Sequence, residues 1–151
     1  MSKIDGKVAF VTGANRGIGR VFVEELLAAG AVKVYASARK VETLDDLVAS
    51  GNGRVVAVGL DVTNSDAISK VAAQYNDVSV LINNAGVAAF EGVISAKDDT
   101  GVRNEMETNF FGVFNMTRSF SSVLAENGGG VVVNMSSIAG HVNFPVLGTY
   151  S

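Results

Sequence analysis

Thr12-Gly13-Ala14-Asn15-Arg16-Gly17-Ile18-Gly19 is the stretch that decides the fold of this chain. It grows out of residues 7–12 (KVAFVT), a short apolar run rich in β-branched side chains, which is how a strand buried on both faces reads. It leads into residues 16–29, where Ile18, Val21, Phe22, Glu25, Leu26 and Ala29 recur at mixed helical spacings and Gly30 supplies a stop. Glycines between a strand and a helix let the chain turn tightly, bring backbone close to a pyrophosphate and let the helix pack on the sheet. The helix N-terminus adds unpaired N–H groups and a partial positive charge. No Gly-Lys-Ser/Thr follows, so a nucleoside triphosphatase loop fits poorly. The spacing G-x-x-x-G-x-G also departs from the commoner dinucleotide pattern G-x-G-x-x-G.

Downstream, strand-like and helix-like segments alternate. Strands are expected at 32–36, 54–60, 78–82 and 131–134, and helices at 41–49, 65–75 and 99–126, with Asn64 or Ser65 capping the third helix. Strict alternation implies parallel strands joined by right-handed helical crossovers, hence a doubly wound, Rossmann-type α/β sheet of five strands. Ligands of such sheets sit at the carboxyl ends of the strands, where strand order reverses. Each motif considered next lies at such an end.

The bulk composition narrows the function. The chain has 151 residues, 48% of them hydrophobic, which suits one domain with a proper core. It is expected to be a single dinucleotide-binding domain over 1–151. Its apolar runs fall far short of the ~20 residues that a membrane helix needs, and the first six residues lack the design of a signal peptide. Without cysteine there can be no disulfide or cysteine-ligated zinc, and no metal site is expected. A net charge of −3 argues against a nucleic-acid binder, and a cytoplasmic location is the expectation.

With its later motifs the chain resembles the short-chain dehydrogenase/reductase family. The matching segments are T-G-A-N-R-G-I-G at 12–19, D-V at 61–62, N-N-A-G at 83–86, N-F-F-G at 109–112 and V-N-M-S-S-I-A-G at 133–140. Tyr150-Ser151 looks like the opening of the family's Tyr-x-x-x-Lys. The resemblance implies that Gly13, Asn15, Arg16, Gly17, Ile18 and Gly19 hold the cofactor pyrophosphate. It implies that Asp61 and Val62 meet the adenine, that Asn83, Ala85 and Gly86 border the ribose, and that Asn84 ties the fourth strand to the glycine loop. Taken alone, 83–86 would read as a strand-ending turn.

An NAD site usually carries an acidic residue about 20 positions past the glycine loop, bonded to the ribose 2′-hydroxyl. Here that region holds Ser37-Ala38-Arg39, and no carboxylate occurs between Ala31 and Val41. A guanidinium can grip a 2′-phosphate with paired charge-assisted bonds, whereas a carboxylate would repel it. Arg39, with Arg16 as a second cation, therefore points to NADP(H); the plainer reading of both is solvated surface charge.

By resemblance Tyr150 is the acid/base, Ser137 orients the substrate carbonyl and Asn109 holds a water of the proton relay. The family's separation between serine and tyrosine favours Ser137 over Ser136. A free tyrosine has a pKa of ~10 and needs a nearby cation to work near neutrality. The family's lysine would fall three residues beyond Ser151, so the resemblance implies a domain incomplete at its C-terminal end, and this chain alone is expected to be inactive. Its parent is expected to transfer hydride between NADP(H) and a small carbonyl or alcohol substrate, as a homodimer or homotetramer. The competing class is a non-catalytic NADP(H)-binding module. A methyltransferase on a similar sheet would want an acidic residue where Arg39 stands. His141 reads as a loop residue that is solvent-exposed or touches substrate; Phe144, Val146 and Leu147 read as a substrate wall or as loop packing. Strand 131–134 is expected to be an apolar sheet edge, and residues 1–151 alone to be aggregation-prone.

Overall fold

The computed structural model describes residues 3–150. Five parallel strands, β1 (Val8–Val11), β2 (Lys33–Ala38), β3 (Val55–Gly59), β4 (Val80–Asn83) and β5 (Val131–Asn134), form one sheet in the order β3-β2-β1-β4-β5. The order reverses between β1 and β4, which opens a crevice at their carboxyl ends.

Alternation along each strand divides the core in two. Ala9, Val11, Val34, Ala36, Val80 and Ile82 face α1 (Gly17–Ala28) and α2 (Asp45–Ser50), packing with Val23, Leu26, Leu44 and Leu47. Phe10, Tyr35 and Leu81 face the other way, onto Ile68 and Val71 of α3 (Ser65–Gln74) and Met116 and Phe120 of α5 (Val113–Glu126). Phe10 and Phe120, both fully buried, meet with ring centroids 5.1 Å apart. Burying each ring contributes roughly 1.5–3 kcal/mol. Beside these rings, Lys33 and Asp77 form a 2.7 Å ion pair, and the Tyr35 hydroxyl donates to the other Asp77 oxygen at 2.9 Å.

Three expectations need correction. The expected second helix is a 3-10 turn (Val41–Leu44) running into the short α2. Strand β2 extends to Ala38, so Arg39 follows directly on its carboxyl end. The expected uniform helix over 99–126 is instead α4 (Thr100–Glu105), a π-helical segment (Met106–Gly112) and α5. The wider π turn accommodates Gly112 against Val62, where an added Cβ would lie 3.1 Å from the Val62 side chain. Asn64 is the α3 cap, its side chain accepting the Ala67 N–H at 3.0 Å. β5 pairs only with β4, and Val131 and Val132 are exposed.

Candidate functional site: a cleft at the strand crossover

The glycine loop leaves β1 with Gly13 at φ +64° and Gly17 at φ +53°, a conformation that side chains disfavour. Its tightness has a second cause in the end of β4. The Asn84 side-chain amide donates to the carbonyls of Thr12 at 2.9 Å and Gly13 at 3.1 Å. The Thr12 hydroxyl in turn accepts the N–H groups of Asn84 at 2.9 Å and Ala85 at 3.0 Å. A Cβ on Gly13 would lie 2.9 Å from Ala85 Cα. A Cβ on Gly19 would collide with the Gly13 carbonyl and the Asn84 amide. No side chain caps the N-terminus of α1, so its first-turn N–H groups face the crevice without a capping partner.

A cleft of about 530 Å³ follows this loop. Gly13, Asn15, Arg16, Gly17, Ile18, Gly19, Arg39, Asp61, Val62, Ala85 and Gly86 all line it, so the structure gathers nearly every residue singled out for cofactor binding. Arg16 and Arg39 are exposed and have no ion-pair partner among the described residues. Asp61 accepts from the Thr63 N–H and hydroxyl through one oxygen, at 3.0 and 2.8 Å.

Asn83 departs from expectation. It is buried, its amide donates to Thr117 at 3.1 Å and Asn134 at 2.8 Å, and it lines neither cavity. The pleat turns its side chain under β5 rather than toward the crevice, so it acts as a sheet-to-helix tie.

A second cavity of about 670 Å³ adjoins the first, sharing Arg16, Ile18, Ala85 and Gly86. Asn109, Ser136, Ser137 and Tyr150 line it. Ser137 heads a 3-10 turn (Ile138–Gly140), its hydroxyl accepting the Ala139 N–H at 3.1 Å. Tyr150 follows a second turn (Pro145–Leu147). Asn109 sits in the π segment and spends its amide on Val87, accepting its N–H at 2.9 Å and donating to its carbonyl at 2.8 Å. His141 is exposed and lines neither cavity, nor do Phe144, Val146 and Leu147.

Reading the residues alone missed Thr12, whose hydroxyl joins the two loops, and Glu105, which is buried. Thr12 heads the glycine loop and could have been singled out. Glu105 carries no such signal, because an acidic residue on a helix ordinarily faces solvent.

A doubly wound sheet with a glycine-lined cleft at its crossover defines a Rossmann-type α/β fold. The short chain dehydrogenase family model matches residues 7–151, and the chain belongs to that family. A crystallised short chain dehydrogenase from Burkholderia cenocepacia J2315, in complex with NADP, is 44% identical with a TM-score of 0.90 over 99% of this chain and 60% of its own. The 3-oxoacyl-(acyl-carrier-protein) reductase of Escherichia coli is 30% identical over 90% of this chain and 57% of its own length. The 3-ketodihydrosphingosine reductase of Bacteroides thetaiotaomicron is 32% identical over 96% and 52%. The chain thus spans little more than half the length of such curated relatives. Among the described residues no helix is long and apolar enough to cross a membrane.

Proposed function

We infer that this chain is the cofactor-binding part of an NADP(H)-dependent oxidoreductase that interconverts a small carbonyl compound and its alcohol. The observation that carries this reading is the juxtaposition of two lined cavities. One is bordered by Gly13 and Gly19, which leave no room for a Cβ, by Gly17 at positive φ, and by two arginines without ion-pair partners among the described residues. The other holds Ser137, Tyr150 and Asn109. The first cavity suits a pyrophosphate, for its backbone can approach closely and the N–H groups of α1 face it. Arg39 and Arg16 suit a 2′-phosphate, and the NADP complex of the Burkholderia cenocepacia relative supports that choice.

NADPH bound there would supply the hydride. The chain's own groups would do the rest. Tyr150 would give its phenolic proton to the carbonyl oxygen, and the Ser137 hydroxyl would orient and polarise that oxygen. Asn109 would hold the adjoining loop and the water path. A module that merely senses NADP(H) would have no use for a serine and a tyrosine lining one cavity beside the nicotinamide end.

Titrating the full-length protein with NADPH and NADH is the test. NADPH should bind at least about tenfold tighter, the worth of one charge-assisted hydrogen bond. Equal affinities, or no binding, would refute the assignment.

A further inference from the structure

The loop after β4 rests on three residues placed four apart, Gly101 and Glu105 of α4 and Asn109 of the π segment. A Cβ on Gly101 would lie 2.8 Å from Ala89 Cβ and 2.5 Å from a Glu91 carboxyl oxygen, so the loop sits directly on helix backbone. Glu105 accepts the Ala89 N–H at 2.7 Å. Asn109 holds Val87 by both its N–H and its carbonyl. These contacts place all three on one helix face.

Glu105 is 4% exposed, and its second carboxyl oxygen is buried with no hydrogen-bond partner. Burying a carboxyl with one oxygen unsatisfied opposes folding, so its position calls for a compensating role. The next link of the loop shows that role. Phe90 has φ +56° and is 70% exposed. A phenylalanine in the left-handed region persists only where its surroundings over-determine it. The bonds from Glu105 and Asn109 fix the residues just before it. Phe90 lines the cavity that holds Ser137 and Tyr150, beside Val113 and Met135. Among the described residues no carboxylate lines that cavity, and its one cation, Arg16, also lines the adjoining cleft.

We propose that Glu105 is a positioning residue whose bond to Ala89 sets Phe90 as an aromatic wall of the substrate cavity, and that Phe90 selects carbonyl substrates bearing a flat apolar substituent. A ring beside the carbonyl would stack on the Phe90 face and meet the Met135 thioether. An anionic substituent would find no cation except Arg16. This inference rests on the oxidoreductase reading above and adds the substrate class to it.

The test uses the full-length enzyme with saturating NADPH and two probes, acetophenone and acetone. The wild type should favour acetophenone in kcat/KM. Phe90→Ala should reduce the acetophenone-to-acetone ratio by at least about tenfold, through KM, as for loss of one good apolar contact. Glu105→Ala should reproduce that loss, and Glu105→Gln, which keeps an acceptor for the Ala89 N–H, should restore the ratio. Should Glu105→Ala fail to fold, Ala89→Pro removes the same N–H from the loop side and should give the same loss. A purely structural role would lower both probes together with Tm and leave the ratio alone. An unmoved ratio in Phe90→Ala, or a wild type that favours acetone, overturns the specificity claim. A fall in Phe90→Ala without one in the Glu105→Ala or Ala89→Pro enzyme overturns the role of Glu105. NADPH titration of the same samples separates the two levels. Tight binding with an unmoved ratio sinks only this inference, whereas no binding and no turnover of either ketone sinks the proposed function.

Discussion

The Asn84 amide fills the space where a side chain on Gly19 would have to stand. It is held there by bonds to the carbonyls of Thr12 and Gly13, so β4 and the glycine loop form one rigid corner. Gly19→Ala should therefore disturb both at once. A Cβ pressed against a backbone carbonyl and a doubly bonded amide costs roughly 1–3 kcal/mol. A thermal melt should show the loss, and NADPH titration should show weaker binding. An alanine variant with wild-type Tm and affinity would mean that the corner is softer than its geometry indicates.

Arg39 stands directly after β2 and lines the cleft without an ion-pair partner among the described residues. On the proposed assignment Arg39→Asp would replace the 2′-phosphate partner with a like charge. NADPH affinity should fall roughly tenfold to a hundredfold while NADH changes far less. An unchanged NADPH/NADH ratio would assign the 2′-phosphate to other groups.

For Tyr150 and Ser137 the readout is turnover in the full-length enzyme. On the proposed mechanism Tyr150→Phe, which removes only the phenolic hydroxyl, should lower kcat by roughly 10²–10⁴-fold. On the same mechanism Ser137→Ala should cost roughly 10²–10³-fold, as for the loss of one polarising donor. Cofactor affinity should stay near wild type in both. Substantial activity in the phenylalanine enzyme would show that another group delivers the proton.

Asn83 separates resemblance from geometry. Motif position placed it at the ribose, yet its side chain is buried between Thr117 and Asn134. Asn83→Ala should thus act on stability, costing roughly 1–3 kcal/mol for the partners left unpaired. Its Kd for NADPH should move by less than about threefold. A large loss of affinity at unchanged Tm would return Asn83 to the ribose.

These residues show what the chain reveals before it is folded. The glycine loop was legible because Gly13 and Gly17 meet a backbone demand that only their residue type relieves. The sheet was legible because alternating apolar runs admit few topologies. The direction of Asn83 was not, since it depends on the register of β4 against β5 and on where Thr117 comes to stand. The π segment was hidden for a related reason: Met106, Phe110, Val113 and Thr117 keep an α-like spacing through it. Glu105 carried no signal, because its burial exists only once loop 87–91 folds back on the helix.

The opposite end of the sheet offers a test independent of cofactor. Partial burial pushes the Asp77 carboxyl up, but the bonds from Lys33 and Tyr35 and the lysine charge outweigh it, holding it below the ordinary 3.8. For Lys33 the bond it donates to Asp77 comes first, then the one to Tyr35, and together they raise it above 10.5 against the opposing effect of desolvation. A carboxyl depressed on folding contributes stability above its unfolded pKa and loses it as pH falls through the folded value. A raised lysine contributes below its unfolded pKa and loses it as pH rises through the folded value. Asp77→Asn should therefore lower Tm by a modest, constant amount between about pH 5 and pH 9, and the gap should narrow as pH falls below about 4 and as it rises past about 10.5. Both side chains are more than a third exposed, at 38% and 40%, so screening limits the pair to about 1 kcal/mol or less. Added salt should shrink the same gap at pH 7. A Tm difference that persists undiminished at pH 3 would show that Asp77 acts through packing against Tyr35 rather than through its charge.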